Sequence, residues 1–229
     1  LLNMKTTIKV LLSLAAIFLA YLCVMSILTP INFERIRAQR EKDVIQRLIE
    51  IRKAEVEFKE QNGRYTASFD TLINFLKTAK KKIVLKEGFL TDEQLEAGLT
   101  EEKAAQIVRR GNKQEIEKYG LQNFRRDTIK VDLLEEVFPN YTRQTIDQIC
   151  YIPYSQGEKF ELRVNNDYVN KSGIRIPLFE ACAPYETYLH DLNRQELLNL
   201  IDRAKKLNKY PGLKVGSIVE PNNNAGNWE

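Results

Sequence analysis

Residues Val10 to Leu28, VLLSLAAIFLAYLCVMSIL, are nineteen consecutive residues without a charge. As a helix rising about 1.5 Å per residue, they reach across the roughly 30 Å of hydrocarbon in a bilayer. A segment this apolar is either removed or embedded in lipid. Cleavage as a signal peptide requires a shorter apolar region and a small-x-small site, and Ser26-Ile27-Leu28 matches it poorly. A lipoprotein signal requires a small residue just before its cysteine, whereas Cys23 follows Leu22 and the apolar run continues past it. An uncleaved transmembrane helix is therefore expected over residues 10–29, behind a short tail, residues 1–9. In that tail Met4 reads as the biological start, and Lys5 and Lys9 lead into the membrane. Orientation has two readings. The short lysine lead points to a cytoplasmic N-terminus, while Arg35, Arg37, Arg40 and Lys42 count the other way. Those four alternate with Glu34, Glu41 and Asp43 and belong to a long domain, and long domains translocate largely regardless of charge. The expectation is a cytoplasmic N-terminus with the domain outside.

A stalk or spine helix is expected over residues 30–62. Pro30 suits its first turn, where a missing N–H is harmless. Residues Ile31 to Asp43 are polar nearly all round, apart from Ile36, which predicts a solvated neck. Ile36, Arg37 and Arg40 are the candidate partner face there. From Val44 the apolar residues take helical spacing: Val44, Leu48, Ile51 and Phe58, with Ile45, Ile49 and Val56 widening the stripe. That half is expected to pack on a globular domain. A coiled-coil partner is the sharper alternative, but the apolar heptad is short.

Asn62-Gly63 predicts a left-handed cap, and Ser68 an N-cap for a helix from Phe69 to Lys80. The globular domain is then expected over residues 63–219. Ile83, Val84 and Leu85 mark a strand, and Phe124 to Val131 a second that can pair with it. Between them lies a helical insertion, residues 87–121, with few large apolar residues. Thr91 and Gln94 predict a capping box there, Thr100 starts a helix through Arg110, and Gln114 to Tyr119 makes a further turn or two. Asp132 to Phe138 reads as a short helix. Gln148 to Tyr154, Lys159 to Val164 and Ile174 to Phe179 read as strands of an antiparallel meander. Asn193 caps a C-terminal helix, Arg194 to Leu207, before a strand over Leu213 to Ile218. The polar tail, residues 220–229, holds the single tryptophan, Trp228, which is either loose or a docking element. The fold class is α+β: a transmembrane helix continuing into a long amphipathic helix packed on an antiparallel sheet, with a helical insertion and a C-terminal helix.

Chemistry is sparse in this sequence. It contains no G-x-S-x-G elbow, phosphate loop, dinucleotide glycine fingerprint or H-E-x-x-H pair. The single histidine, His190, sits beside Asp191 with no nucleophile in view. No catalytic, cofactor-binding or metal-ligating residue is assigned, and no cofactor is implied. Cys150 and Cys182 fall in strand-like sequence. They form a disulfide in an oxidising compartment and remain buried thiols in the cytosol. The net charge is only +4, from 35 basic and 31 acidic residues closely interleaved, which lacks the concentrated basic face of a nucleic-acid binder.

The order of Lys5 and Lys9, the apolar run, Pro30, the helix ending KAEVEFKEQNGRYT and an α+β remainder resembles the N-terminal layout of type IV pilins and type II secretion pseudopilins. The likeness covers about a third of the chain, and NGRYT is especially similar to the end of pilin stalk helices. No Gly-Phe or Gly-Met processing site precedes the apolar run, which also lacks the pilin glutamate near its start. The layout is also similar to that of single-pass assembly subunits of those machines, and the Asn- and Tyr-rich texture to that of Bacteroidota envelope proteins. The resemblance implies a non-enzymatic, single-pass protein of the cell inner membrane with a periplasmic domain. Its partners would be membrane lipid, through residues 10–28, and other envelope proteins or a second copy through the stalk. The alternative is a membrane-anchored binding or sensing module that uses residues 87–121.

Overall fold

One helix, α1 (Met4–Asn62), carries the apolar run and the stalk without a break. The structure, a computed structural model, describes residues 4–229, apart from the side chains of residues 4–6, 127 and 128. Leu1 to Asn3, the first residues of the expected tail, lie outside the described residues. Tail residues from Met4 onward are already helical, and Pro30 lies inside α1 rather than starting a second helix. A proline there removes one backbone hydrogen bond, to the carbonyl four residues earlier. The fold is mixed α+β, with two small antiparallel sheets and further helices besides α1. The chain divides into two compact units, one ending at Asn74 and resuming as Asp147–Glu229, the other Phe75–Ile146.

In the first unit α1 supplies the spine. Val44, Leu48, Ile51, Ala54 and Phe58 are buried, as the helical stripe predicts, and α1 contacts two strands of a three-stranded sheet. The sheet consists of β3 (Glu161–Asn165), β4 (Leu178–Pro184) and β5 (Gly212–Gly216), in that order and all antiparallel. Side chains alternate along β4. Phe179, Ala181 and Ala183 take one face, and Glu180 and Cys182 the other. The strand is buried on both sides, which hides it from a search for alternation. The strand expected over Ile174 to Phe179 therefore begins later, beyond Pro177, which has no N–H to donate. The strand expected over Gln148 to Tyr154 is absent: Ile146–Cys150 is a 3₁₀ turn, and Tyr151 makes only an isolated bridge to Lys159. Ile146, Ile149 and Ile152 are buried at spacings of three, which fits a tight helical turn rather than a strand. Between β4 and β5 the chain forms α7 (Tyr185–Leu189) and α8 (Arg194–Lys206), the latter capped by Asn193 as expected.

The tail is not loose. Gly226 bridges Val215, and Asn227 Nδ2 donates to Gly212 O at 2.9 Å. Trp228 is half-buried, its ring filling the space a Cβ on Gly226 would need. At the other end of the spine Gly63, at φ +73°, turns the chain out of α1. Tyr65 then folds back with its ring centroid 4.8 Å from that of Phe179.

In the second unit β1 (Lys80–Glu87) and β2 (Arg125–Asp132) form a two-stranded ribbon with Ile83 opposite Ile129, the pairing expected from sequence. Between them run α3 (Asp92–Glu96), α4 (Glu101–Arg110) and α5 (Lys113–Lys118). The Thr91 capping box, the Thr100 cap and the left-handed Gly111 stop all form. The segment has a core of its own, Leu99, Ala104, Leu121 and Phe124. α2 (Phe69–Thr78) leads into this unit, and α6 (Leu133–Val137) leaves the ribbon.

The buried side of α1 is not wholly apolar, for Glu55 and Glu57 are buried as well. Glu55 is fully buried, with Oε2 accepting the Thr66 N–H at 3.2 Å and Oε1 unpartnered. Burial pushes its pKa up to about 8, from 4.5. Folding therefore retains a proton that the unfolded chain gives up above pH 4.5, so stability falls as pH rises from 4.5 to about 8. Glu55→Gln is expected to flatten that slope in chemical denaturation curves taken across the window, and an unchanged slope would show that Glu55 is ionised in the folded protein.

Candidate functional site

The neck expected to be solvated is docked. Phe33 is buried, and Ile36, Arg37, Arg40 and Glu41 are half-buried. Arg40, expected on the partner face, is engaged within the fold. Nη1 and Nη2 meet Asp191 Oδ1 and Oδ2 at 2.5 and 2.7 Å, a bidentate pair, and Nη1 also donates to Tyr188 O at 2.7 Å. Its Cζ lies 4.9 Å from the ring centroid of Tyr154, whose hydroxyl donates to Asp43 Oδ2 at 2.5 Å. Asp43 and Arg40 are three apart on α1 and so share a face. Tyr154 takes φ +62°, a conformation that costs a tyrosine free energy and is held here by both contacts. Further along α1, Arg47 Nη1 donates to Gln148 O, and Arg52 Nη1 meets Asn224 O at 3.2 Å and Glu229 Oε1 at 2.7 Å.

Of the residues expected on the partner face, Arg37 pairs along the helix with Glu34 at 2.8 Å and Glu41 at 3.3 Å. Burial raises the pKa of Glu41, against the pull of Arg37. Trp228 belongs to the folded-back tail. The face of α1 left to solvent is Ile31, Arg35, Ala38, Lys42, Gln46 and Lys53. Sequence reading missed it because all sides of the neck look alike in composition. The only available signal was the three- and four-residue spacing of Arg40, Asp43 and Arg47, a polar continuation of the Val44 stripe.

Cys150 and Cys182 are free thiols, not a disulfide. Cys150 Sγ donates to Asp147 O at 3.1 Å. Cys182 lies 3.5 Å from Arg163 Nη2, and burial pushes its thiol up to about 11, so it is a poor nucleophile. Beside it Glu180 is buried between Arg163 Nη2 and Lys214 Nζ, each at 2.7 Å, a charge neutralised by neighbouring strands. His190 is exposed, with Nδ1 3.1 Å from Thr187 O. Among the described residues no group of three His, Cys, Asp or Glu is placed to hold a metal ion.

The second unit carries a cleft of about 560 Å³ flanked by α3, α4 and α5. Leu99, Ile107 and Tyr119 supply its apolar wall, and Lys103, Arg110 and Lys118, against the single acid Glu93, its charge. No family model, curated protein or solved structure matches this chain.

Arg40 holds the Asp191 carboxyl down to about 2, from 3.8. The pair's contribution is thus complete above pH 3.8 and lost as pH falls through about 2. Asp191 is half-exposed, so screening limits the contribution to about 1 kcal/mol. Asp191→Asn is expected to lower Tm near neutral pH, with the gap to wild type closing toward pH 2. A gap that persists in acid would assign the loss to packing rather than charge.

Proposed function

We propose that this chain is a non-enzymatic, single-pass membrane protein that works as a pilin-like or scaffolding component of a bacterial envelope assembly. The observation that carries the reading is the unbroken course of α1. Its apolar run is long enough to cross a membrane and wholly exposed, and the same helix becomes the buried spine of a folded unit. A rigid connection of this kind fixes the unit at a set distance from the bilayer, which suits a part that must be held in register with others. The domain lies on the periplasmic side of the inner membrane, and the outer face of α1, from Ile31 to Lys53, meets neighbouring envelope proteins or a second copy. A reporter fused after Glu229 is expected to be active only outside the cytoplasm. Extraction in mild detergent is expected to bring the protein out with partners or as an oligomer. Recovery as a lone monomer under several conditions would end the scaffold reading.

The cleft beside α4 supports a second reading, a membrane-anchored binding module. Its mixture of apolar wall and cations suits a ligand with an apolar body and a negative group. Deleting residues 87–121 is a poor test because Leu121 belongs to the local core. Reversal of Lys103 and Arg110 to glutamate is expected to abolish partner capture with melting unchanged, and capture that survives would exclude the cleft.

A further inference from the structure

The ribbon β1–β2 places like charges directly opposite each other. Residues opposite in an antiparallel pair share a face, as does every second residue along a strand. On one face Lys82 therefore meets Lys130, and two positions along Lys86 meets Arg126. Like charges set opposite on a sheet are destabilising. At the base of the same face Lys80 is opposite Asp132, the ordinary attractive arrangement. The Lys86–Arg126 pair has an acid, for Glu101 lies 3.8 Å from Lys86 Nζ and 3.3 Å from Arg126 Nη2. Lys82 and Lys130 are both exposed, and neither has an ion-pair partner among the described residues.

The apolar residues of the ribbon are uncovered as well. Val84, between the two cation pairs, is 49% exposed; on the opposite face Leu85 is 41% and Ile129 42% exposed. Over Lys82–Lys86 the edge of β1 away from β2 carries no further strand. A two-stranded ribbon is marginal without a third strand or a cover. A second copy of the ribbon is a poor occupant, since it would set lysine against lysine. An anionic bilayer would satisfy one face and leave the edge N–H and C=O groups and the apolar face unmet.

We propose that an extended segment of another protein, alternating acidic and apolar residues, adds to the edge of β1 as a third strand. Its carboxylates meet Lys82 and Lys86 on the cationic face, as Glu101 already meets Lys86. Its apolar side chains pack beside Ile83 and Leu85, the middle of the opposite face between Lys81 and Glu87. The alternation follows from the pleat, because successive side chains of an added strand fall on opposite faces. This chemistry is independent of how α1 is embedded and differs from the cleft beside α4.

The test uses the full chain in neutral-lipid nanodiscs and a labelled peptide alternating glutamate and valine, matched to the eight residues of β1. Fluorescence anisotropy is expected to show binding. The affinity should fall at least about tenfold for a peptide with the same residues in two blocks, and again when alternate amides are N-methylated. Lys82→Glu gives effects of opposite sign. It turns the repulsive pair with Lys130 into an attractive one, so Tm is expected to hold or rise while peptide binding falls about tenfold. Equal binding of the alternating and block peptides overturns the proposal, as does binding unaffected by Lys82→Glu. So does Lys82-dependent flotation with phosphatidylglycerol vesicles in the absence of peptide binding, which assigns the face to lipid.

Discussion

The first unit depends on one constraint: a single helix carries an apolar run long enough to cross a membrane and, further along, one side of a protein core. In lipid α1 needs apolar side chains all round, because nothing there hydrates a polar group. Past Pro30 it needs them only on the side facing the fold. The change occurs within unbroken helix, so the position of the span determines where Val44, Leu48, Ile51 and Phe58 can seat. Each such side chain contributes about 1.5–3 kcal/mol when fully buried. That apolar stripe orients α1 against β4 and β5, and the turn at Gly63 can then bring Tyr65 back onto Phe179.

The polar contacts along α1 have a different task. Arg40 and Asp43 precede the apolar stripe, Arg47 and Arg52 flank it, and all four hold loops rather than a core. Arg40 reaches the end of α7, Asp43 holds Tyr154, and Arg52 holds the tail. Each is partly exposed, so each contributes modestly. Together they keep the neck against the fold and leave Ile31, Arg35, Ala38, Lys42 and Gln46 to solvent. Glu55 is the most deeply buried polar residue of α1. Burial raises its pKa, while the Thr66 N–H that it accepts pulls the other way.

The second unit has another economy. Its helices form a local core around Leu99 and Phe124, and the ribbon is tied to α4 through Arg126, which lies over the Phe124 ring at 4.0 Å and donates to Glu87 O and Gly88 O. The middle of the ribbon receives no such support. Its opposed cations and uncovered apolar residues are what isolated strands avoid and what a partner strand would relieve.

Local rules were enough for much of this architecture. The apolar run, the Val44 stripe, the caps at Gly63, Ser68, Thr91, Thr100 and Asn193, and the pairing of β1 with β2 follow from spacing and turn chemistry that act over a few residues. The sequence by itself therefore determined most of the helices, though not α7 or the 3₁₀ turn at Ile146–Cys150, together with the pairing of β1 with β2 and the mixed α+β class. Only the tertiary structure decided the rest, because it depends on distant residues meeting. β4 is buried on both faces and so shows no alternation, and Glu180 within it is tolerable only because Arg163 and Lys214 arrive from neighbouring strands. Arg40 reads as a solvated charge until Asp191, 151 residues away, is placed beside it. Lys82 and Lys130 look like scattered surface charges until the register sets them face to face. A charge's role is fixed by what stands opposite it, and no local pattern carries that information.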